Sequence, residues 1–358
     1  MDKPERKAAT MASFSELLGL ISQNPFLALV LVLVMGTIFV NGATDAANAI
    51  AEPIGTRAID VDSAIIMSVI TNFLGLVVMT MFSTAVADTM SNMVDFGGDH
   101  HAALIALAAA MVSIVSWSSL AWVFGIPTSE SHALIAGLTG AAIAIHGGLQ
   151  AVNGAEWVKV LYGLVLSTVL GFAAAWVVAK AIPYLCRDVD RRRANDFFAK
   201  MQVWAAAGAS AMHGAQDGQK FMSTAMLAIA LAQNMDVTNA KFPMWLQIAC
   251  AAIMAIGTGI GGKPIIKKVG IDMVQLEQYQ GFAAAFSATG ALLLATLTGL
   301  PVSTTHTSSS AMMGAGAAKD PRSVDWEVAK EIVGTWVFTF PGCGLIGFVL
   351  AKLFLLVF

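Results

Sequence analysis

Charge is what this sequence has least of. Only 12% of its 358 residues are charged, against about 25% in an ordinary soluble domain. With 57% hydrophobic residues, most of the surface must face lipid, and a soluble enzyme or binding module is excluded. The net charge of −3 gives no footprint for a nucleic-acid partner. Cysteine is scarce too. Cys186, Cys250 and Cys343 share no close spacing, so they form neither a metal motif nor a disulfide framework.

Apolar stretches fill the rest, near 26–56, 63–87, 102–124, 129–147, 156–183, 201–232, 244–260, 279–299, 307–318 and 328–358. A spanning helix needs about 20 apolar residues. Most stretches meet that length; 129–147 is marginal and 307–318 is too short. The one strongly charged linker, near 184–200, carries Arg187, Asp188, Asp190, Arg191, Arg192 and Arg193 close to the middle of the chain.

The two sides of that linker repeat each other. Asn41-Gly42-Ala43-Thr44-Asp45-Ala46-Ala47-Asn48 returns as His213-Gly214-Ala215-Gln216-Asp217-Gly218-Gln219-Lys220, displaced by 172 residues. Gly125-Ile126-Pro127-Thr128-Ser129-Glu130-Ser131-His132 returns as Gly299-Leu300-Pro301-Val302-Ser303-Thr304-Thr305-His306, displaced by 174. Two polar motifs in the same order at nearly the same offset mark a duplication. The chain divides into a tail (1–24), a first transmembrane repeat (25–183), a cytoplasmic linker (184–200) and a second repeat (201–358).

Two topologies fit. If 102–124 and 129–147 are arms of a re-entrant hairpin with Pro127 and Ser129 at its tip, each half crosses three times and the halves are inverted. If 102–124 spans fully, the halves are parallel. Positive-inside counting gives the same balance either way. The hairpin is preferred, because Pro, Ser and Thr at a tip need protein or a cavity around them. The expected fold is an all-α integral membrane protein of two inverted repeats. Each repeat holds a broken signature helix and a re-entrant hairpin, and both termini lie outside the cell.

The polar islands carry the chemistry. Asp45 and Asp217, with Glu130 and Lys220 near their depth, would cost on the order of 10 kcal/mol if left unpaired in a bilayer. Such groups persist where they bind ions or line a water-filled path; an interhelical hydrogen-bond knot would not explain their duplication. Asn41, Thr44, Asp45, Gln216, Asp217 and Glu130 offer hard oxygen donors, which suit Na⁺; a proton could use the same carboxylates. At the tips, Pro127 and Pro301 stop one arm. Ser129 and Ser303 cap the next helix, whose free N–H groups and positive dipole end suit an anion. Thr128, Ser131, Thr304, Thr305 and Asn48 add polar groups for a small tetrahedral oxyanion. Lys220 and His213 are read as substrate or ion-pair contacts. His132 and His306 are read as structural, and Glu52 with Arg57 as an intrahelical pair or part of a gate. His100 and His101 beside Asp99 are read as a solvated loop rather than a metal site.

The octets around Asp45 and Asp217 resemble the paired G-A-N-D-x-A-N-A and H-G-x-N-D-G-Q-K signatures of the inorganic phosphate transporter family. The resemblance covers nearly the whole chain. The family's Asn before each Asp is Thr44 here in the first half and Gln216 in the second. The resemblance implies a secondary carrier of inorganic phosphate, coupled to Na⁺ or H⁺ through inverted repeats, in the plasma membrane and without enzymatic activity. Alternatives are proton coupling, sulfate as the anion, and an anion channel, against which the midplane carboxylates argue. A homodimer and the lipid bilayer complete the expected partners.

Overall fold

The structure, a computed structural model, describes residues 13–124, 126–233 and 242–358. Position 125, the glycine opening the first tip motif, lies outside the described residues, as does the start of the tail. Among the described residues there is no strand, only two isolated antiparallel bridges, Val94–Val152 and Val274–Val324. Among the described residues six helices are long and apolar enough to cross a membrane, and one helix pair bent by 69° passes the same test together. The chain is a multi-pass membrane protein.

The tail contains a short helix, α1 (Phe14–Gln23), started by a Ser13–Glu16 capping box. The first signature lies at the end of α2 (Pro25–Thr44). Beyond it a tight 3₁₀ stretch, Ala46–Ile50, leads into α3 (Ala51–Gly55). Helix α4 (Val61–Phe82), capped by Asp60, breaks at Ser83–Thr84 and resumes as α5 (Ala85–Ser91). Helices α6 (His100–Val123) and α7 (Glu130–His146) flank the first tip motif, and α8 (Gly154–Leu185) closes the half.

The second half opens with α9 (Arg191–Gln233), which begins inside the charged linker. Helix α10 (Met244–Ile260) bends into α11 (Lys263–Lys267) and a π-turn, Lys268–Asp272. Helices α12 (Gln278–Thr298) and α13 (Thr304–Lys319) flank the second tip motif, before α14 (Trp326–Val357).

One expectation is corrected. The first signature helix is broken, but the second runs through Asp217 without interruption. Two residues explain the difference. Asn48 Nδ2 takes the Asp45 carbonyl at 3.1 Å, competing with the helical ladder, whereas Lys220 at the equivalent place reaches outward. Pro53 has no N–H for the ladder, and Ala225 stands at its counterpart.

Hydrogen bonds fix where each hairpin opens. Asn153 N donates to Met93 O at 3.0 Å, and a β-carbon on Gly97 would lie 3.2 Å from His146 Nε2. The start of α6 and the end of α7 therefore meet at one end of the bundle. The Phe26 ring lies 5.9 Å from both His101 and Phe358 at that same end. The second hairpin opens at the other end. There Lys319 pairs with Glu277, Asp325 N donates to Met273 O at 2.9 Å, and Lys268 pairs with Glu331 at 2.8 Å. Helix α14 runs from one end to the other.

The halves are interleaved. Helix α2 packs on α10 while its counterpart α9 packs on α4; α7 packs on α14 while α13 packs on α8. Glycine makes each crossing close. A β-carbon at Gly42 would sit 2.1 Å from Met254 O, and one at Gly140 would sit 2.0 Å from Gly344 O. Backbones at that distance forgo side chains to gain contact, as membrane helices do where apolar faces gain nothing over lipid. Outward-facing residues such as Val165 and Val169 on α8 and Phe338 and Leu345 on α14 remain exposed, where acyl chains would cover them.

Gly140→Ala is expected to lower stability by about 1–3 kcal/mol through overpacking. Gly290→Ala, where nothing lies within 4 Å of the new carbon, is expected to be neutral or slightly stabilising. Thermal unfolding in detergent compares the two.

Candidate functional site

The two signatures and the two tips converge on one buried centre. Asp45 ends α2, Asp217 sits midway along α9, and Ser131 and Thr304 lie in the first turns of α7 and α13. Thr304 Oγ1 is 3.2 Å from Asp45 Oδ2 and 3.2 Å from Asp217 Oδ2. A hydroxyl has one proton, so it can serve only one of these carboxylates. Ser131 Oγ donates to Asp217 Oδ1 at 3.2 Å. Thr305 Oγ1 bonds Asp45 Oδ1 and also approaches Thr128 O at 3.3 Å. Asn48 Nδ2 donates to Asp45 Oδ1 at 2.7 Å, and Asn41 Nδ2 to Asp217 Oδ2 at 3.1 Å.

Lys220 is fully buried and its ammonium is satisfied. It donates to Asp217 Oδ1 at 2.8 Å, Ser131 Oγ at 2.7 Å and Val302 O at 2.5 Å, tying α9 to both tips. His213 Nε2 lies 3.3 Å from Asp217 Oδ2. Its other nitrogen meets Asn72 Oδ1 at 2.6 Å, which fixes the ring.

The donor set fits a hard cation. One ligand atom each from Asp45, His213 and Asp217 falls within 4.8 Å of the others. Beside the aspartates, the buried amide oxygens Asn41 Oδ1 and Asn48 Oδ1 have no partner. A buried acceptor without a donor costs about 1–3 kcal/mol, and a cation would relieve several at once. Oxygens of this kind suit Na⁺ better than a soft metal.

Other expected residues stand apart. Ser129 and Ser303 spend their hydroxyls as N-caps, accepting from His132 N at 3.3 Å and His306 N at 3.2 Å. Thr128 turns its hydroxyl to Thr339 on α14, at 2.9 Å. Gln216 points to Thr296 Oγ1 at 3.1 Å and Leu300 O at 3.3 Å, away from the aspartate pair. Glu130 is buried near that pair but bonded to neither aspartate. Ser118 Oγ is 2.5 Å from its Oε2, and Thr44 Oγ1, which also bonds Val40 O at 2.8 Å, is 2.9 Å from its Oε1. His132 and His306 meet edge to face at 4.4 Å, each also stacked on an α14 ring, Phe340 and Trp336 respectively. Asp99 caps α6 through His101 N and Ala102 N at 3.0 and 3.1 Å. Glu52 and Arg57 form no ion pair; both Glu52 carboxylate oxygens are without a partner.

Sequence reasoning missed Asn72, which orients His213, and Ser118. Each sits in a short polar patch of an apolar run, Thr71-Asn72 and Ser116-Trp117-Ser118-Ser119, which is the only signal either gave. It also missed the break at Ser83, whose carbonyl accepts from Gln219 Nε2 at 2.8 Å.

Two helix starts, those of α7 and α13, closing on a buried, charged centre inside a helical membrane bundle make a transporter-type architecture. The sequence matches the phosphate transporter family twice in succession, over residues 41–194 and 184–347. It is 35% identical over 310 residues to a probable low-affinity inorganic phosphate transporter of Bacillus subtilis, covering 86% of this chain and 91% of that one. A similarly described protein of Rhizobium meliloti is 34% identical over 316 residues, covering 86% and 90%. A putative phosphate permease of Pyrococcus horikoshii is 25% identical, covering 93% and 99%. A solved structure described as "The sodium-dependent phosphate transporter" superposes with a TM-score of 0.83 at 21% identity, covering 93% of this chain and all of that one, and shows the same fold. The chain belongs to the phosphate transporter family and is a transporter, not an enzyme.

The ion pair makes an asymmetric prediction. Asp217→Asn leaves the Lys220 ammonium buried and unpaired, and should cost about 3–5 kcal/mol. Lys220→Met added to it should recover most of that loss. Asp45→Asn removes no cation partner and should cost less. Unfolding midpoints of the three variants test this order.

Proposed function

We propose that the chain carries inorganic phosphate across the plasma membrane together with Na⁺, by alternating access between two inverted halves. Family membership supports phosphate. Na⁺ rests on one observation above all: two carboxylates converge on the single Thr304 hydroxyl, with unpartnered amide oxygens beside them. Asp45 and Asp217 carry two negative charges against the one of Lys220. An oxyanion brought to that centre meets net repulsion unless cations arrive with it, and this is the physical reason for coupling. The solved structure of the same fold is described as sodium-dependent, which agrees.

The anion belongs at the tips. The first N–H groups of α7 and α13 have no partner within their own helices, and both helices point their positive ends toward the centre. Ser131, Thr304, Thr305 and Asn48 surround that place; Lys220 is the cation within reach. Ser129 and Ser303 act there by holding the helix ends open rather than by touching phosphate. Inverted halves are supported by the hairpins opening at opposite ends. We assign the end where the first hairpin opens to the outside and the 184–200 linker to the cytoplasm.

Uptake of labelled phosphate into proteoliposomes, with Na⁺ and pH gradients imposed separately, tests the reading. Na⁺-driven uptake is expected, and Asp45→Asn and Asp217→Asn should each abolish it while still inserting. Near-normal uptake by both would remove the coupling site. Ser129→Ala and Ser303→Ala should weaken phosphate binding about twofold to thirtyfold, through loss of an N-cap worth about 0.5–2 kcal/mol that holds each helix end in place, with Na⁺ binding retained. Calorimetry at saturating Na⁺ measures that, and affinities within twofold of wild type would move the anion elsewhere.

A topology measurement is independent of transport. Cysteines placed at Asp99 and Asp188, both exposed, should react with an impermeant reagent from opposite faces of the membrane, Asp188 from the cytoplasm. Reaction of both from one face would sink the inverted arrangement.

A further inference from the structure

Below the aspartate centre, one carboxylate stands with nothing to hold it. Glu52 on α3 is 1% exposed, and neither of its oxygens has a hydrogen-bond partner. Its neighbours Ile50, Ala51 and Ile54 belong to an apolar cluster with Ile265, Val269 and Ala284. Helix α3 packs against α4, α9, α11, α12 and the π-turn. The titratable groups Asp62 on α4, Lys200 on α9, Lys267 on α11, Tyr279 on α12 and Asp272 on the π-turn form no ion pair or hydrogen bond with it. Lys268 is spent on Glu331. A bare carboxylate in such surroundings pays a large desolvation cost that an added proton removes.

Glu52 also occupies a particular place. Asp45, Asn48, Glu52 and Thr56 follow one another at intervals of three or four residues, and turn bonds join the first two and the last two. Asn48 N donates to Asp45 O at 3.0 Å, and Thr56 N to Glu52 O at 3.0 Å. The stripe starts at the aspartate centre, where Asn48 Nδ2 reaches Asp45 Oδ1 at 2.7 Å. It ends at the opening of the second hairpin, where Thr56 O accepts from Gln278 Nε2 at 2.8 Å and Thr56 Oγ1 bonds Gln202 Oε1 at 3.0 Å. Gln202 Nε2 and Gln278 Oε1 are themselves buried and unpartnered there, the kind of polar lining that water occupies. The equivalent stripe of the second half reads Asp217, Lys220, Thr224, Ala228. It turns apolar where the first stays polar, so the two routes out of the centre differ.

We propose that Glu52 is a proton-carrying residue on the route between the aspartate centre and the end of the bundle where the second hairpin opens. It holds a proton while that route is closed. When the route opens, the carboxyl O–H bond breaks, the proton passes to water at that end, and a carboxylate remains until a proton returns. Na⁺ does not suit the place, because a hard cation needs several oxygen ligands and the residues flanking Glu52 pack into an apolar cluster. The proposal rests on the reading of the chain as an ion-coupled carrier, but its first test does not require transport.

Infrared difference spectra of wild-type protein and Glu52→Gln in lipid, near neutral pH, read the carboxyl group directly. The wild type should show the carbonyl stretch of a neutral carboxylic acid that Glu52→Gln lacks. Identical bands in the two proteins overturn the proposal whatever the transport activity. In proteoliposomes at equal Na⁺ on both sides, a pH gradient should change the rate of wild-type phosphate uptake. Glu52→Gln should respond at least about fivefold less while keeping its Na⁺ dependence, and Glu52→Asp should restore part of the response. An unchanged response in Glu52→Gln, or none in the wild type, also overturns it. Wild-type protein that shows the acid band but moves no phosphate with either ion refutes the carrier reading instead.

Discussion

Everything at the centre of this protein depends on the Lys220–Asp217 pair. Neither charge touches solvent, and the pair sits one helical turn apart on the one signature helix that is continuous. Lys220 also binds Ser131 of one tip and the Val302 carbonyl of the other. A single ammonium thus holds both re-entrant helices against α9. Ion pairs so deep rarely add net stability; what this one fixes is geometry. Remove its charge balance and the starts of α7 and α13 lose their common anchor.

The pair also divides labour between the halves. Asp217 has a built-in cation, and Asp45 does not. The duplicated octets keep Gly, Ala and Asp and differ elsewhere; the difference that decides the charge is Asn48 against Lys220, and the backbone differs with it. In the first half Asn48 turns inward and the helix tightens into a 3₁₀ stretch. In the second the lysine reaches across and the helix stays regular. The site is therefore built on a duplicated scaffold but is asymmetric in its charge.

Much of this was legible in the sequence. The internal repeat located both aspartates, both tips and the boundaries of nearly every long helix, because each is written in short-range signals: apolar length, proline, a capping serine. What was not legible depends on which side chains meet across helices. Gln216 could be read as a ligand by position, yet its amide is drawn to Thr296 on another arm. Thr128 sits at the tip but turns to α14. Asn72 looked like part of a short polar patch in an apolar run until His213 was placed beside it. Glu52 and Arg57, opposite charges close in sequence, could be read as a pair, but Glu52 is buried while the chain turns at Arg57 through a positive φ of 61°.

The glycine crossings have a consequence for biosynthesis. Each half keeps its most intimate contacts for the other, α2 with α10 and α9 with α4, α7 with α14 and α13 with α8. When the first half has entered the bilayer and the second is still on the ribosome, the surfaces of α4 and α8 shaped for α9 and α13 have only lipid to meet. The halves are thus mutual templates and not domains. A chain severed within the 184–200 linker would give two fragments, each structurally incomplete, whose only route to a native shape is through one another.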